Sequence, residues 1–400
     1  MVSELGQPCY ACGSGIRVPV PGHLRDAPEV GVNKCGFCGV VTAAGDHGVS
    51  VDYPRGTMHG GTLGVDPSLD PVDLADLGRR IEILENLFSG VGTILEVGCG
   101  RGDFLVRARE RGFEVVGLEI DRRALQLCKG ALLDVRSSWM EFPDEERSAV
   151  TMCVMFHVLE HLDDPRRFLE ELVGAFPHLE TLVIEVPCAD DPLVTLFANR
   201  EFSEFTYWSH HSHLHTTLSL SLVLQTLKAP VKVDRIQRYG LANHIGWLLE
   251  GQPGGHNRFG PAISSEADLN YRRLLVESGY SDTLVCTIQL GSDSKSQGSP
   301  KVFCFDIDGT LCTNTEGDYL NAEPFQDRIQ RVNQLYDQGW GIILFTARGS
   351  TTGIDWLVPT EKQLQGWGVK YHQLRLGKPF ADLHIDDKAV NSELFRWGDR

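Results

Sequence analysis

One stretch constrains the fold of this chain more than any other: Ile94-Leu95-Glu96-Val97-Gly98-Cys99-Gly100-Arg101-Gly102-Asp103-Phe104-Leu105. An apolar run of β type stops in three alternating glycines, and a helical pattern (Leu105, Val106, Ala108) begins at once. The backbone must therefore swing tightly from strand to helix, which glycine permits because it lacks a Cβ. Main-chain N–H groups and a helix N-terminus become accessible to a ligand there, as in nucleotide-binding folds. The less specific reading is that the glycines close an ordinary strand-to-helix turn.

The following β-like run, Phe113 to Leu118, ends in Glu119, where a doubly wound fold places a carboxylate to accept from ribose hydroxyls. Further on, Ala149 to Phe156 leads into His157-Val158-Leu159-Glu160-His161-Leu162-Asp163-Asp164-Pro165. The spacing Glu-x-Gly-x-Gly-x-Gly differs from the dinucleotide fingerprint and from the phosphate loop ending in Lys-Ser/Thr. It resembles motif I of class I S-adenosylmethionine-dependent methyltransferases, and the segment from His157 resembles the "LEH" stretch after strand four of that family, which walls the methyl-transfer cavity. The resemblance implies a Rossmann-like α/β fold and S-adenosylmethionine as cofactor, held by Glu96, Gly98, Gly100, Gly102, Glu119 and His157. The alternative for His157 and His161 is that both face the core.

Four hundred residues suggest two or three domains, and 42% hydrophobic with 23% charged residues is the composition of a soluble enzyme. No uninterrupted apolar run is long enough to span a bilayer and Met1 to Gln7 lack signal-peptide order, so a cytoplasmic protein without membrane partners is expected. A net charge of −17 argues against nucleic-acid partners, since phosphate backbones call for Lys and Arg.

Eleven cysteines in a chain of this size are not a secreted disulfide framework. Cys9-x-x-Cys12 and Cys35-x-x-Cys38, each followed by glycine, read instead as the two knuckles of a structural four-cysteine zinc ribbon over residues 1–50. So short a segment with few large apolar groups can hardly hold itself together without a metal. Residues 51–71, rich in Gly, Asp and Pro, read as a linker, and Leu74, Leu77, Ile81, Leu84 and Phe88 as an amphipathic helix opening a methyltransferase domain over 72–290.

In that domain Arg166 to Phe176 reads as a helix, Leu182 to Pro187 as a fifth strand, and Phe205 to His215 as a segment carrying four histidines, His210, His211, His213 and His215. Imidazole can take or give a proton near neutral pH. Together with the ribbon, the segment resembles that of a sugar methyltransferase family with a zinc-binding N-terminus, some of whose members act on carbon. The match holds at His211, His213 and Leu214, which makes His211 and His213 the catalytic base candidates. The family's glutamate is Ser212 here, so help to a hydroxyl or amine is the better expectation than deprotonation of a carbon. The histidines could instead bind a metal, but no acidic residue stands beside them in the sequence. Tyr239 and Trp247, interleaved with polar groups, suit stacking on a sugar. The helix Asp268 to Val276 and strand Thr283 to Leu290 close the domain, and residues 291–300 read as a flexible linker.

Past that linker, over 301–400, Val302 to Phe305 is an apolar strand running into Asp306-Ile307-Asp308-Gly309-Thr310. Alternate residues of an extended chain share a side, so both carboxylates can face one pocket. This matches motif I of the haloacid dehalogenase superfamily of phosphatases, and Thr346 after the strand from Gly341, Lys378, and the pair Asp386-Asp387 follow in that family's order. The resemblance implies a second Rossmannoid α/β domain. It makes Asp306 the nucleophile on phosphorus and Asp308 the acid and base. Thr346 and Lys378 become stabilisers of phosphoryl charge, and Asp306, Asp308, Asp386 and Asp387 the ligands of Mg2+. The short interval to Thr346 leaves no room for a large cap, so the site is open, or covered by the methyltransferase domain or by another subunit of a homo-oligomer.

The expectation is thus a bifunctional enzyme acting on sugar or sugar-phosphate small molecules. The alternatives are methylation of a non-sugar metabolite and a ribbon-recruited methyltransferase of protein or RNA.

Overall fold

The computed structural model describes residues 8–44, 71–88, 90–290, 302–337 and 340–378, with 391, 392, 395 and 397. The segments expected as linkers, 51–71 up to its last residue and 291–300, lie outside these residues, as do Asp386 and Asp387. The chain forms two compact units, Met1–Ser296 (Pro230–Lys232 excepted) and Gln297–Arg400.

The first unit opens with an antiparallel sheet of β1 (Arg17–Leu24), β2 (Ala27–Cys35) and β3 (Val41–Ala43). Then α1 (Pro71–Leu87) leads through β4 (Thr93–Val97), α2 (Asp103–Glu110), β5 (Val115–Leu118), α3 (Arg122–Gly130) and β6 (Val135–Arg136). The chain crosses back through α4 (Asp144–Ala149), β7 (Val150–Phe156), α5 (Pro165–Ala175) and β8 (Thr181–Pro187). It continues through α6 (Pro192–Thr195), α7 (Arg200–Thr206), α8 (Thr217–Leu224), β9 (Val231–Ile236), α9 (Leu241–Glu250), α10 (Gly255–Phe259), α11 (Ser265–Glu277) and β10 (Thr283–Gln289).

The seven-stranded sheet runs β6-β5-β4-β7-β8-β10-β9. Strands β6, β5, β4, β7 and β8 are parallel, and β10 returns antiparallel to β8. Central strands of such a sheet are covered on both faces and read as unbroken apolar runs. Ile94 and Leu95 of β4, Cys153, Val154 and Met155 of β7, and Leu182 to Ile184 of β8 are accordingly fully buried. The strand order reverses at β4, which has β5 on one side and β7 on the other, and a crevice opens beyond the carboxyl ends of strands at such a point.

The N-terminal sheet is not packed on its own. Leu24, Val30, Val32 and Val41 share one apolar cluster with Ala189, Tyr207 and Leu214 of the larger body. Val41 and Leu214 exchange backbone hydrogen bonds of 2.9 Å in both directions. Thr216 Oγ1 donates to the carbonyl of Cys38 (2.6 Å), and Arg166 to that of Ala11 (2.6 Å).

In the second unit β11 (Val302–Phe305), α12 (Gln326–Asp337), β12 (Gly341–Thr346), α13 (Leu357–Trp367) and β13 (Gln373–Leu376) form a parallel sheet of order β11-β12-β13 with its helices. Its core gathers Phe305, Ile307, Val332, Ile342, Leu344 and Leu364.

Candidate active sites

The turn after β4 shows why three glycines stand there. Gly98, Gly100 and Gly102 have φ of 70°, 53° and 82°, in the left-handed region that side chains disfavour. A Cβ on Gly98 would lie 2.5 Å from Val158 Cγ2, and one on Gly102 2.3 Å from Leu133 Cδ1, so these two are required by packing. A Cβ on Gly100 would meet nothing within 4 Å, so there the bare backbone borders open space. The N–H of Gly100 donates to Glu119 Oε2 (2.8 Å) and that of Asp121 to Glu119 Oε1 (2.7 Å), which fixes the carboxylate at the carboxyl end of β5. Glu96 is buried in β4, its Oε2 has no hydrogen-bond partner among the described residues, and burial pushes its pKa well above the usual carboxylate range.

Beside the loop, His157 directly follows β7 with φ of 56°, a left-handed conformation uncommon outside glycine. Its N–H donates to the carbonyl of Glu185 (2.9 Å). Its ring lies 3.3 Å from Glu160 Oε1 through Nδ1 and 3.3 Å from Glu185 Oε1 through Nε2, with Arg238 Nη1 at 3.1 Å from Nε2. Burial opposes charging of His157, but the two carboxylates outweigh it and raise its pKa. Glu185 also takes Arg79 (2.8 Å) and Arg80 (2.6 Å) from α1, and Arg238 pairs with Asp76 of the same helix. The first helix thus helps build this wall.

The histidine segment divides. His211 faces His161, their ring centroids 4.9 Å apart, and both lie with Glu160 in one cluster. Burial brings the pKa of His211 down to about 4. His213 turns the other way and stacks on Tyr10 of the N-terminal segment (4.0 Å). The two base candidates therefore occupy different surroundings. An acidic partner does stand beside the histidines, contrary to expectation, because Glu160 reaches them from the loop after β7. Trp247 is also corrected. It is buried against Phe202 and Phe205 (5.1 Å each) in the interior, which removes it as a stacking surface for a sugar.

Cys9 and Cys12 on one knuckle meet Cys38 and Cys35 on the other, with Sγ···Sγ distances of 3.6 Å in both pairs. Four thiolates about 2.3 Å from a tetrahedral zinc ion would be roughly 3.8 Å apart, so the cluster fits that metal. Gly13 and Gly39, both with φ of 76°, turn each knuckle and donate back to the carbonyls of Cys9 and Cys35.

In the second unit, Asp306 Oδ2 meets Lys378 Nζ at 2.5 Å, and Thr346 Oγ1 lies 3.4 Å from Asp308 Oδ2. Four of the residues singled out from the sequence therefore meet in two pairs, Asp306 with Lys378 and Asp308 with Thr346. Arg348, missed from the sequence although it follows Thr346 by two positions, clamps Asp308 through two bonds of 2.9 and 2.7 Å. Arg348 is itself fixed by Gln363 (2.7 Å).

Residues 73–227 match the family model of a methyltransferase domain. The chain is 37% identical over 87 residues to an uncharacterized methyltransferase of Mycobacterium sp. (strain JLS), and 36% identical over 87 residues to one of strain KMS. Each match spans 21% of this chain and 34% of the relative, about a third of its length. Among solved structures, a SAM-dependent methyltransferase from Archaeoglobus fulgidus aligns with a TM-score of 0.38 at 21% identity, covering 55% of this chain and 94% of the other. The first unit thus contains a methyltransferase domain of the Rossmann-like α/β type. Among the described residues no helix is long and apolar enough to cross a membrane.

Proposed function

We propose that the first unit transfers a methyl group from S-adenosylmethionine to a sugar or nucleotide-sugar-like small molecule in the cytoplasm. The observation that carries the cofactor assignment is the pairing of open space at Gly100 with the buried, unpartnered Oε2 of Glu96. A cationic ligand at this place compensates a carboxylate that burial otherwise leaves costly. Glu96 would face the positive charge and Glu119 the ribose hydroxyls, while the main chain at Gly98, Gly100 and Gly102 lets the ligand approach. When bound, the cofactor supplies an activated methyl group. His211 lies in the loop cluster next to this crevice with a pKa that leaves it neutral and able to accept a proton from an acceptor hydroxyl or amine. The alternative acceptor is a non-sugar metabolite.

The arrangement of Asp306, Asp308, Thr346 and Lys378 supports a second activity, hydrolysis of a phosphomonoester. Asp306 Oδ would attack phosphorus and form an aspartyl-phosphate as the ester oxygen leaves. Lys378 and Thr346 would meet the phosphoryl oxygens. Asp308 would hand a proton to the leaving oxygen and later take one from the attacking water, a role for which its pair with Arg348 must open so that the carboxyl group can carry that proton. Mg2+ at Asp306, Asp308, Asp386 and Asp387 would offset phosphoryl charge.

The test reads S-adenosylhomocysteine and free phosphate in the same wells, from a panel of sugar phosphates and nucleotide sugars with S-adenosylmethionine and Mg2+. Gly100→Arg should abolish only the first product and Asp306→Asn only the second. Methyl transfer surviving Gly100→Arg, or phosphate release surviving Asp306→Asn, would overturn the corresponding half.

A further inference from the structure

The loop after β7 and the histidine segment, far apart in sequence, bring together a donor set of which the methyl-transfer reading uses only His211, and there as a base, a role that a metal bound to the same nitrogen would replace. One carboxylate oxygen of Glu160 and one nitrogen each of His161 and His211 all lie within 4.8 Å of one another. Glu160 is fully buried, yet its Oε2 has no hydrogen-bond partner among the described residues, and the same holds for His211 Nδ1. Two buried, unpartnered polar atoms in one partly buried cluster call for an occupant, because leaving their hydrogen bonds unmade is costly.

The surroundings orient this set as a ligand set is oriented. His161 Nδ1 lies 2.6 Å from the carbonyl oxygen of His210, and since a carbonyl only accepts, Nδ1 must carry the proton. The lone pair of His161 is then on Nε2, which lies 4.0 Å from Glu160 Oε1. A metal-bound imidazole characteristically donates its remote N–H to such an acceptor, which fixes both tautomer and ring plane. The carboxylate is steered in turn by His157 Nδ1, 3.3 Å from Glu160 Oε1.

We propose that Glu160, His161 and His211 bind a divalent first-row transition cation. Two imidazoles and one carboxylate suit Mn2+, Fe2+, Co2+ or Zn2+ better than Mg2+ or Ca2+, which prefer oxygen donors alone. Three protein ligands leave coordination positions open, in contrast to the closed four-thiolate cluster. Val158, two residues before Glu160, is the residue against which Gly98 packs, so the cation would adjoin the glycine loop. Its open positions would take hydroxyl oxygens of the acceptor; that use rests on the proposed methyl transfer, whereas cation binding does not.

The test titrates Co2+, in the presence of excess Mg2+ to occupy all-oxygen sites, into full-length protein whose four-cysteine cluster is loaded with zinc, in a background with Asp306, Asp308, Asp386 and Asp387 all changed to Asn. Visible d–d absorption reports binding. One equivalent should bind, with affinity at least tenfold weaker in both His211→Ala and Glu160→Gln, while zinc content and circular dichroism stay as in the parent. If Glu160→Gln fails to fold, the less buried His211→Ala decides alone. No Co2+ bound by the parent, or unchanged affinity in His211→Ala, overturns the site whether or not S-adenosylhomocysteine is formed. Co2+ binding that is lost as expected, in a protein that methylates nothing, would sink the proposed activity and leave the site standing.

Discussion

Gly98 and Gly100 share a left-handed backbone and differ in what surrounds them, which makes Gly98→Ala and Gly100→Ala a matched pair. The left-handed conformation costs a non-glycine residue about 1–2 kcal/mol. That is the whole expected destabilisation for Gly100→Ala, because nothing lies within 4 Å of the added methyl. In Gly98→Ala the methyl meets Val158 Cγ2 at 2.5 Å, and the overpacking adds about 1–3 kcal/mol. Gly98→Ala should therefore melt on the order of several degrees below Gly100→Ala. Ligand binding should rank the other way. The methyl of Gly100→Ala occupies the space assigned to the cofactor and should weaken S-adenosylhomocysteine by tenfold or more, about 1.4 kcal/mol. Differential scanning calorimetry and isothermal titration on the two variants check both halves. Equal melting temperatures would refute the packing argument, and wild-type affinity in Gly100→Ala would refute the placement of the ligand.

Other outcomes follow from the same geometry. Burial raises the pKa of Glu96, so a cationic ligand that ionises it must release a proton. S-adenosylmethionine affinity should then rise with pH, by up to about tenfold per unit below the free protein's pKa, and lose that dependence in Glu96→Gln. Titrations in buffers of different ionisation enthalpy read the proton directly, and a pH-independent affinity would dispose of the idea. Trp247→Ala should cost about 3–5 kcal/mol in urea unfolding and leave the acceptor KM unchanged; a raised KM with normal stability would return Trp247 to the substrate site. Arg348→Ala strips the clamp from Asp308 and should destabilise the second unit by about 3 kcal/mol while lowering phosphate release, followed by tryptophan fluorescence and phosphate assay. Retained stability and rate would show that Asp308 needs no such partner.

What could be read in the sequence followed from how local each constraint is. The turn at Gly98 to Gly102 was legible because left-handed backbone and strand-to-helix geometry are written in adjacent residues. The two cysteine knuckles were legible for the same reason, and so was the placement of Asp306 and Asp308 just past the end of one strand. The partnership of Glu160 with His211 was not, since it depends on β7 and β8 being neighbours and on the histidine segment folding back over them. Trp247 misled because an aromatic residue among polar ones looks alike on a sugar-binding surface and on a helix whose inner face meets Phe202 and Phe205. Arg348 left a signal two positions after Thr346, but a lone arginine after a strand acquires meaning only when Asp308 is seen in its grip.

The exchange of hydrogen bonds between Val41 and Leu214 also bears on how the chain is made. The β1–β3 sheet leaves the ribosome before the elements it packs on, and Leu24, Val30 and Val32 cannot be covered until Ala189, Tyr207 and Leu214 have been synthesised. At about 5–20 residues per second that interval lasts on the order of ten seconds or more, with an apolar face waiting. A metal captured early by the four cysteines would keep that face in its final shape for the later residues to dock on. Zinc supply during translation, and not only in the finished protein, would then govern how much of the chain escapes aggregation.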